Sequence, residues 1–483
     1  MKIVIVGLGP GDPGALTRQA WDVLSAASEV YLRTARHPTV ESLPVGPAYH
    51  SFDAHYEAAT DFVALYEQIA QEVAALGRRA EGVIYAVPGH PLVGEATVTR
   101  LLALARDAGI AVDIVGGMSF VEPVLAALHL DGLSGLQVLD AVEVAAMHHP
   151  PINPDAPALL AQLYDRTVAS DVKLVLMNQY PDDHPVALVH AAGMPDERVE
   201  HVPLHEIDRS PYLAHLTTLY VGPLPQASSF EAFQETIAHL RAPDGCPWDR
   251  KQTHQTLRRN LLEETYEVLD ALDAGDADAM CEEFGDLLLQ VVLHSQIAVD
   301  EAEFKMADVI AGINEKIIRR HPHVWGDVRT DDAEQVIVNW EQLKKQERRV
   351  KGNERASLLD GVPKTLPALD QSFRYQERAA RVGFDWPDIE PVRAKVMEEL
   401  DEVVAAQTPA SIAAELGDLL FAIVNWARWL GVDPESALRE TNARFYRRFR
   451  HIEATAAAQG RELSEVTLEE MDAIWEEAKA GER

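Results

Sequence analysis

The sequence predicts a two-part chain: an α/β domain over residues 1–225 and an all-α region of helical repeats over residues 226–483. Three observations carry this. Short β-type runs alternate with helical patterns in the first part, and most of the runs end on a Gly or Pro cluster. Helical periodicity alone runs through the second part. The second part also repeats itself, with landmarks offset by 128 to 138 residues.

The β-type runs of the first part are Ile3–Val6, Gly82–Ala86, Val112–Val115, Lys173–Met177 and Thr217–Val221. They are rich in Val, Ile, Leu and Tyr. The clusters GLGPGD, VPGHP, VGGMS and VGPLP stand at or just after four of their ends. Strand, glycine turn, then helix predicts a mainly parallel sheet with ligand loops at the strand ends. The change of pattern falls near Pro223–Ser229.

Length and charge narrow the function. At 483 residues the chain exceeds one ordinary core. It has 43 basic against 77 acidic residues, a formal charge of −34. Phosphate backbones and anionic lipid surfaces demand basic protein, so no nucleic-acid polymer and no membrane surface is expected as a partner. Two cysteines, Cys246 and Cys281, exclude a disulfide scaffold and a four-cysteine zinc site. The opening MKIVIVGLGPGD predicts no secretory signal. The most apolar helical stretch, Leu416–Val432, is broken by Asp418 and Arg428, so no membrane span is expected. The expectation is a cytoplasmic, multidomain protein. Twelve of the eighteen histidines precede the boundary, without metal-ligand spacing, and read mostly as surface residues.

The repeat carries the chemistry. EETYE (263–267) matches EELDE (398–402), and Glu283-Phe-Gly-Asp286 matches Glu415-Leu-Gly-Asp418. Asn314-x-Lys-x-x-Arg-Arg320 matches Asn442-x-Arg-x-x-Arg-Arg448, Trp340-Glu matches Trp475-Glu, and Trp248 and Trp386 stand ahead of the acidic motifs. Five landmarks in one order define two repeats, 226–357 and 358–483, parted near LLDGVPKTLP (358–367). In EExxE and ExxD, acidic residues stand at i and i+3 on one helix face. The ExxD helix is otherwise apolar, with Phe284, Leu287, Leu288 and Val291, or Leu416, Leu419, Leu420 and Ile423. Packing that stripe brings four carboxylates to a helix–helix seam. Unpaired, they repel and raise one another's pKa values. A hard divalent cation, Mg²⁺ or Mn²⁺, relieves the repulsion. A di-iron centre normally takes Glu-x-x-His pairs, and Asp286 or Asp418 stands where the histidine belongs. Lys316, Arg319 and Arg320, or Arg444, Arg447 and Arg448, supply forks for phosphate oxygens. Carboxylate-bound metal with Arg or Lys suits phosphoryl chemistry on a nucleotide. Taken singly, each motif reads as a solvated helix face; the duplicated set reads as a site.

At these residues the second part resembles the MazG family of nucleoside triphosphate pyrophosphohydrolases in its two-repeat form. The likeness runs through GCPWD (245–249), LLEETYEVLDA (261–271), EFGDLLLQVV (283–292), RRHPHVW (319–325), VGFDW (382–386) and ELGDLLF (415–421). It implies an all-α homodimer that cleaves NTP to NMP and pyrophosphate with Mg²⁺. The family's metal ligands fall on Glu399, Glu402, Glu415 and Asp418, with Glu264, Glu267, Glu283 and Asp286 as equivalents in the first repeat. The triphosphate contacts fall on Arg444 and Arg448, with Lys316 and Arg320 as counterparts. The family typically has lysine at the place of Arg444. The resemblance favours the second repeat as the active one, although both acidic sets are intact.

In the first part, GLGPGD (7–12) is neither a dinucleotide fingerprint nor a P-loop: Asp12 holds the last position, Pro10 interrupts, and no GxxxxGK[ST] occurs. GLGPGDPGALT (7–17), VPGHPLVGEAT (87–97), VGGMSFVEPVLAAL (115–128) and LMNQYP (176–181) together resemble the tetrapyrrole methylase superfamily. The resemblance implies S-adenosylmethionine near Gly9, Pro10, Gly11, Asp12, Gly89, His90, Pro91 and Ser119. The family typically has Asp or Asn at His90, and often Ser or Ala at Phe120, so a porphyrinoid acceptor is not implied. His90 reads as a loop or cofactor contact rather than a base. A methylase-like domain ahead of two MazG repeats resembles the bacterial YabN-type fusion. The function expected is nucleotide-pool house-cleaning by pyrophosphohydrolysis. The alternatives are a nucleotide-sensing regulatory or scaffold protein, and a methyltransferase with an accessory helical domain.

Overall fold

The computed structural model describes residues 1–58, 61–330, 332–350 and 357–481. Met1–Arg250 and Lys251–Arg483 form two compact units.

Among its described residues the first unit holds ten strands in two sheets. The first sheet contains β1 (Lys2–Gly7), β2 (Glu29–Leu32), β3 (Ala48–Ser51), β4 (Val83–Val87) and β5 (Ala111–Val115). Their order is β3-β2-β4-β1-β5, all parallel. A parallel sheet is covered on both faces, so its central strands are continuously apolar; Ile3, Ile5, Val6, Tyr85, Ala86 and Val87 are all buried. Helices α1 (Arg18–Ser25), α2 (Phe62–Gly77) and α3 (Ala96–Asp107) are the crossovers. Thr17 caps α1, its Oγ1 accepting from Ala20 N at 3.2 Å.

The second sheet contains β6 (Gln137–Asp140), β7 (Ala158–Ala161), β8 (Pro185–His190), β9 (Arg198–Pro203) and β10 (Thr217–Val221), ordered β6-β7-β10-β8-β9. Only β6 and β7 pair in parallel; the rest is antiparallel, contrary to the mainly parallel expectation. Helices α4 (Val121–Leu128) and α5 (Arg166–Leu176) belong to this half of the unit. Most of Lys173–Met177, expected as a strand, is the last turn of α5. Short apolar runs do not distinguish strand from helix. Here Val168, Val172, Val175 and Leu176 recur at helical spacing and are all buried, while Asp165 caps the start, accepting from Val168 N at 2.9 Å. Helix α6 (Phe230–Arg241), capped by Ser229, lies between residue 225 and the end of the unit.

The second unit contains no strand among its described residues. Its long helices are α7 (Arg258–Ala274), α8 (Ala277–Asp300), α9 (Met306–Arg320), α10 (Ala333–Val350), α11 (Ala368–Ala380), α12 (Ile389–Ala405), α13 (Pro409–Trp429), α14 (Pro434–Ala458) and α15 (Leu468–Gly481). Gly275, at φ 67°, ends α7 in the left-handed conformation, and Asp276 caps α8 through Ala279 N. So short a link folds α7 and α8 into an antiparallel hairpin. In the second repeat Thr408 and Pro409 start α13 against α12.

One expectation changes here. The apolar stripes of α8 and α13 are not fully packed within the chain. Phe284, Leu288, Val291, Leu416, Leu420 and Ile423 all remain about half exposed. Helix α13 is by length and composition apolar enough to cross a membrane, with Asp418 and Arg428 inside it. It carries Glu415 and Asp418 and lies against α11 and α12, as a helix of a packed hairpin does.

Candidate functional site

The acidic motifs converge twice. On α7 and α8, Glu264, Glu267 and Glu283 offer oxygens that all lie within 4.8 Å of one another. On α12 and α13, Glu399, Glu402 and Glu415 do the same. The cause is local: i, i+3 spacing aligns two glutamates on one helix, and the hairpin brings the third. Asp286 and Asp418 stand outside these groups of three, one turn beyond Glu283 and Glu415 on the same helix face. The charge of Asp286 still acts on both Glu264 and Glu283.

The electrostatics record uncompensated charge. Partial desolvation, then Asp286 and Glu267, pushes the Glu264 carboxyl above its usual range. Desolvation and Glu267 do the same to Glu283. Glu402 is raised by desolvation, then by Glu399 and Glu415. Opposite oxygens around one Mg²⁺ stand about 4 Å apart, so each group suits one hard divalent ion. The donor chemistry fits: all oxygen, no nitrogen or sulfur.

The repeats differ in their cations. Lys395 Nζ lies 2.8 Å from Glu399 Oε1 and 2.8 Å from Glu398 Oε1. These carboxylates hold its ammonium above the usual lysine range. The corresponding residue of the first repeat is Asn260, which carries no charge. Lys395 was legible as a lysine four residues before Glu399, but nothing in the sequence singled it out.

The basic motifs differ as well. Arg320 grips Glu347 with two bonds, Nη2 to Oε2 at 2.6 Å and Nε to Oε1 at 3.2 Å. Arg319 Nε adds a third at 3.0 Å. The two guanidinium groups hold the Glu347 carboxyl down at about 2. Arg320 also lies 5.4 Å from the Trp340 ring centre, and Arg448 lies 5.4 Å from that of Trp475. The repeated tryptophan is therefore an arginine platform. Lys316 is half-buried on α9. Arg444 is 42% exposed, donating to Thr441 Oγ1 at 2.7 Å and pairing with Glu440 at 3.5 Å. The structure thus joins three glutamates per repeat and leaves the basic residues on the following helix.

In the first unit the glycine loops meet. Gly9 N donates to Gly89 O at 3.2 Å, and Gly89 N to Gly9 O at 2.8 Å. Both have positive φ, 76° and 63°. A Cβ on Gly7 would stand 2.6 Å from Gly117 N and from Gly89 O, so these three loops approach as bare backbone. Pro10 lies between Gly9 and Gly11 in this turn, and Asp12 closes it locally, accepting from Gly14 N at 2.9 Å. His90, followed by Pro91, accepts at Nδ1 from Leu92 N at 3.1 Å. Ser119 is buried, its hydroxyl donating to Glu122. A charged pair missed in the sequence joins Arg33, just after β2, to Glu95, just before α3. Arg33 Nη1 meets buried Glu95 Oε2 at 3.0 Å and Arg33 Nε meets the Tyr56 hydroxyl at 2.9 Å. Burial raises the Glu95 carboxyl, and Arg33 opposes that.

Comparison with known proteins follows this division. The Tetrapyrrole (Corrin/Porphyrin) Methylases family model matches residues 2–208. The MazG nucleotide pyrophosphohydrolase domain model matches 252–325. The second repeat, over 369–445, matches the model for Phosphoribosyl-ATP pyrophosphohydrolase. The uncharacterized protein YabN of Bacillus subtilis is 45% identical over 100% of this chain and 99% of its own. The chain belongs to the YabN family. This YabN-type chain is also 46% identical to the nucleoside triphosphate pyrophosphohydrolase/pyrophosphatase MazG of Thermotoga maritima, over 52% of this chain and 96% of that one. The Escherichia coli K12 nucleoside triphosphate pyrophosphohydrolase is 46% identical over 51% and 95%. Among solved structures, the uroporphyrin-III-C-methyltransferase of Thermus thermophilus aligns over 46% of this chain and 91% of its own, at 25% identity and a TM-score of 0.36.

Proposed function

We propose that this chain is a Mg²⁺- or Mn²⁺-dependent nucleoside triphosphate pyrophosphohydrolase, cleaving NTP and water to NMP and pyrophosphate. The carrying observation is the pair of three-glutamate clusters with raised carboxyl pKa values. Membership of the YabN family and the two pyrophosphohydrolase models support the same reading. Glu399, Glu402 and Glu415, with Asp418 one turn on, would hold the cation. When bound, it neutralises phosphate charge and lowers the pKa of water. Arg444 and Arg448 supply cations on the next helix for the triphosphate. Water adds at the α-phosphorus, the bond to the bridging oxygen breaks, and pyrophosphate leaves with that electron pair.

The second repeat is the favoured centre. Lys395 adds a cation at the cluster itself, where the first repeat has the uncharged Asn260. The apolar side chains left half exposed on α8 and α13 support a homodimer. The role proposed is nucleotide-pool house-cleaning in the cytoplasm, without a nucleic-acid polymer or membrane as partner. Pyrophosphate release across a panel of canonical and damaged NTPs, with Mg²⁺ and then with excess EDTA, tests the reading. NTP binding without turnover would make the helical part a sensor or scaffold instead.

A second reading concerns the first unit alone. The methylase family model over residues 2–208 and the bare-backbone junction of Gly7, Gly89 and Gly117 support S-adenosylmethionine binding there. Calorimetry with S-adenosylmethionine and its demethylated product tests it.

A further inference from the structure

A second kind of cluster lies in the helical unit, apart from the carboxylate groups. His254 stands in the segment leading into α7, and His294 stands on α8. Their Nδ1 atoms are 2.8 Å apart, with ring planes only 7° from parallel, so one proton is shared between two imidazoles in plane. Both Nε2 atoms are buried and lack a hydrogen-bond partner. A buried, unpaired imidazole nitrogen carries a desolvation cost that a bound group would remove.

Two carboxylates face that nitrogen. Glu301 ends α8, Ala302 reverses the chain at φ 57°, and Glu303 N bonds back to Ala298 O at 2.8 Å. The reversal sets Glu301 and Glu303 beside His254, with one ligand atom from each of the three within 4.8 Å of the others. His254 Nε2 to Glu303 Oε2 is 3.6 Å. That is too long for a hydrogen bond. It is close to the ~3.4 Å between two ligand atoms on one tetrahedral ion with bonds of about 2.1 Å. Glu303 is 52% exposed, so an ion has a path from solvent.

We propose that His254, Glu301 and Glu303 form a Zn²⁺-class site, with His294 as the positioning residue that orients the His254 ring. The imidazole separates it from the all-oxygen clusters, since nitrogen donors favour zinc-type ions over Mg²⁺. Glu283 and His294 lie eleven residues apart on α8, about 16 Å along its axis, so the two sites share no ligand. The ion would tie the segment before α7 to the far end of α8, bracing the hairpin that carries Glu264, Glu267 and Glu283.

The test uses the full chain, stripped with chelator and titrated with Zn²⁺ in excess Mg²⁺, which occupies the all-oxygen clusters. Wild type is expected to retain about one Zn²⁺ per chain, with a nitrogen ligand in its X-ray absorption spectrum. His254→Phe and Glu303→Gln should each weaken retention at least ~10-fold, and Glu264→Gln should not. His294→Phe should weaken it about 10-fold, with rescue by His294→Asn, which restores a polar partner for the His254 ring. Absence of retained Zn²⁺ would leave only a His254–Glu303 ion pair and overturn the proposal. So would equal retention by the His254 and Glu303 variants, or a wild-type spectrum without nitrogen, a reading that needs no variant to fold.

Discussion

The ammonium of Lys395 lies 2.8 Å from Glu399, one helical turn before it on α12, and the first repeat has Asn260 at that place. Lys395 is the positive charge that opposes the upward push on Glu402 from desolvation, Glu399 and Glu415. Removing it raises the Glu402 pKa further. Metal-binding carboxylates must be deprotonated. Lys395→Met is therefore expected to move the acidic limb of the pH–activity profile upward. A limb that stays put, measured as pyrophosphate release against pH, would show that Lys395 does not act on the cluster.

Replacing Glu402 by glutamine keeps shape and removes one charge from the proposed metal shell. Loss of such a group costs several kcal/mol of transition-state stabilisation, and each ~1.4 kcal/mol is tenfold in rate. Glu402→Gln should lower pyrophosphate release about 100-fold or more, while Glu267→Gln is tolerated better. The comparison requires unchanged helicity and oligomeric state. The reverse pattern would move the active centre to Glu264, Glu267, Glu283 and Asp286.

The grip of Arg320 and Arg319 on Glu347 has a pH signature. The Glu347 carboxyl is held at about 2, below its ordinary 4.5, so the folded state binds this proton less well than the unfolded one. The pair's stabilisation is complete above 4.5 and is lost as pH falls toward about 2. Glu347→Gln should lower the melting temperature at neutral pH and flatten its dependence across that acid window. Parallel wild-type and variant curves there would refute the assignment.

The glycine junction makes a prediction about stability. Gly7→Ala puts a methyl group 2.6 Å from backbone atoms of Gly89 and Gly117, which cannot swing aside as a side-chain tip can. The expected cost is about 1–3 kcal/mol, read from chemical unfolding. Gly46→Ala separates the two kinds of cost: its added Cβ meets no neighbouring residue within 4 Å, so any cost there comes from its φ of 139° alone.

Residues 1–250 form one compact unit, and a fragment of that length should fold alone and bind S-adenosylmethionine. Calorimetry without heat of binding, on a fragment shown to be folded, would leave the unit a structural one.

By itself the sequence determined the two-part division, the internal repeat and the glutamates that share a helix face. All three are local or periodic: glycine turns, helical spacing and i, i+3 geometry are written in neighbouring residues. Tertiary structure alone decided the rest. Lys173–Leu176 is helix because the tertiary core buries Val168, Val172, Val175 and Leu176 together on one face of α5, while the antiparallel order of the second sheet depends on pairings dozens of residues apart. Arg320 meets Glu347 across 27 residues, and His254 meets His294 across 40, contacts with no local signature. Asp286 and Asp418, equal to their neighbouring glutamates in sequence, fall outside the three-oxygen groups because the hairpin crossing, not the spacing along one helix, sets which carboxylates come together.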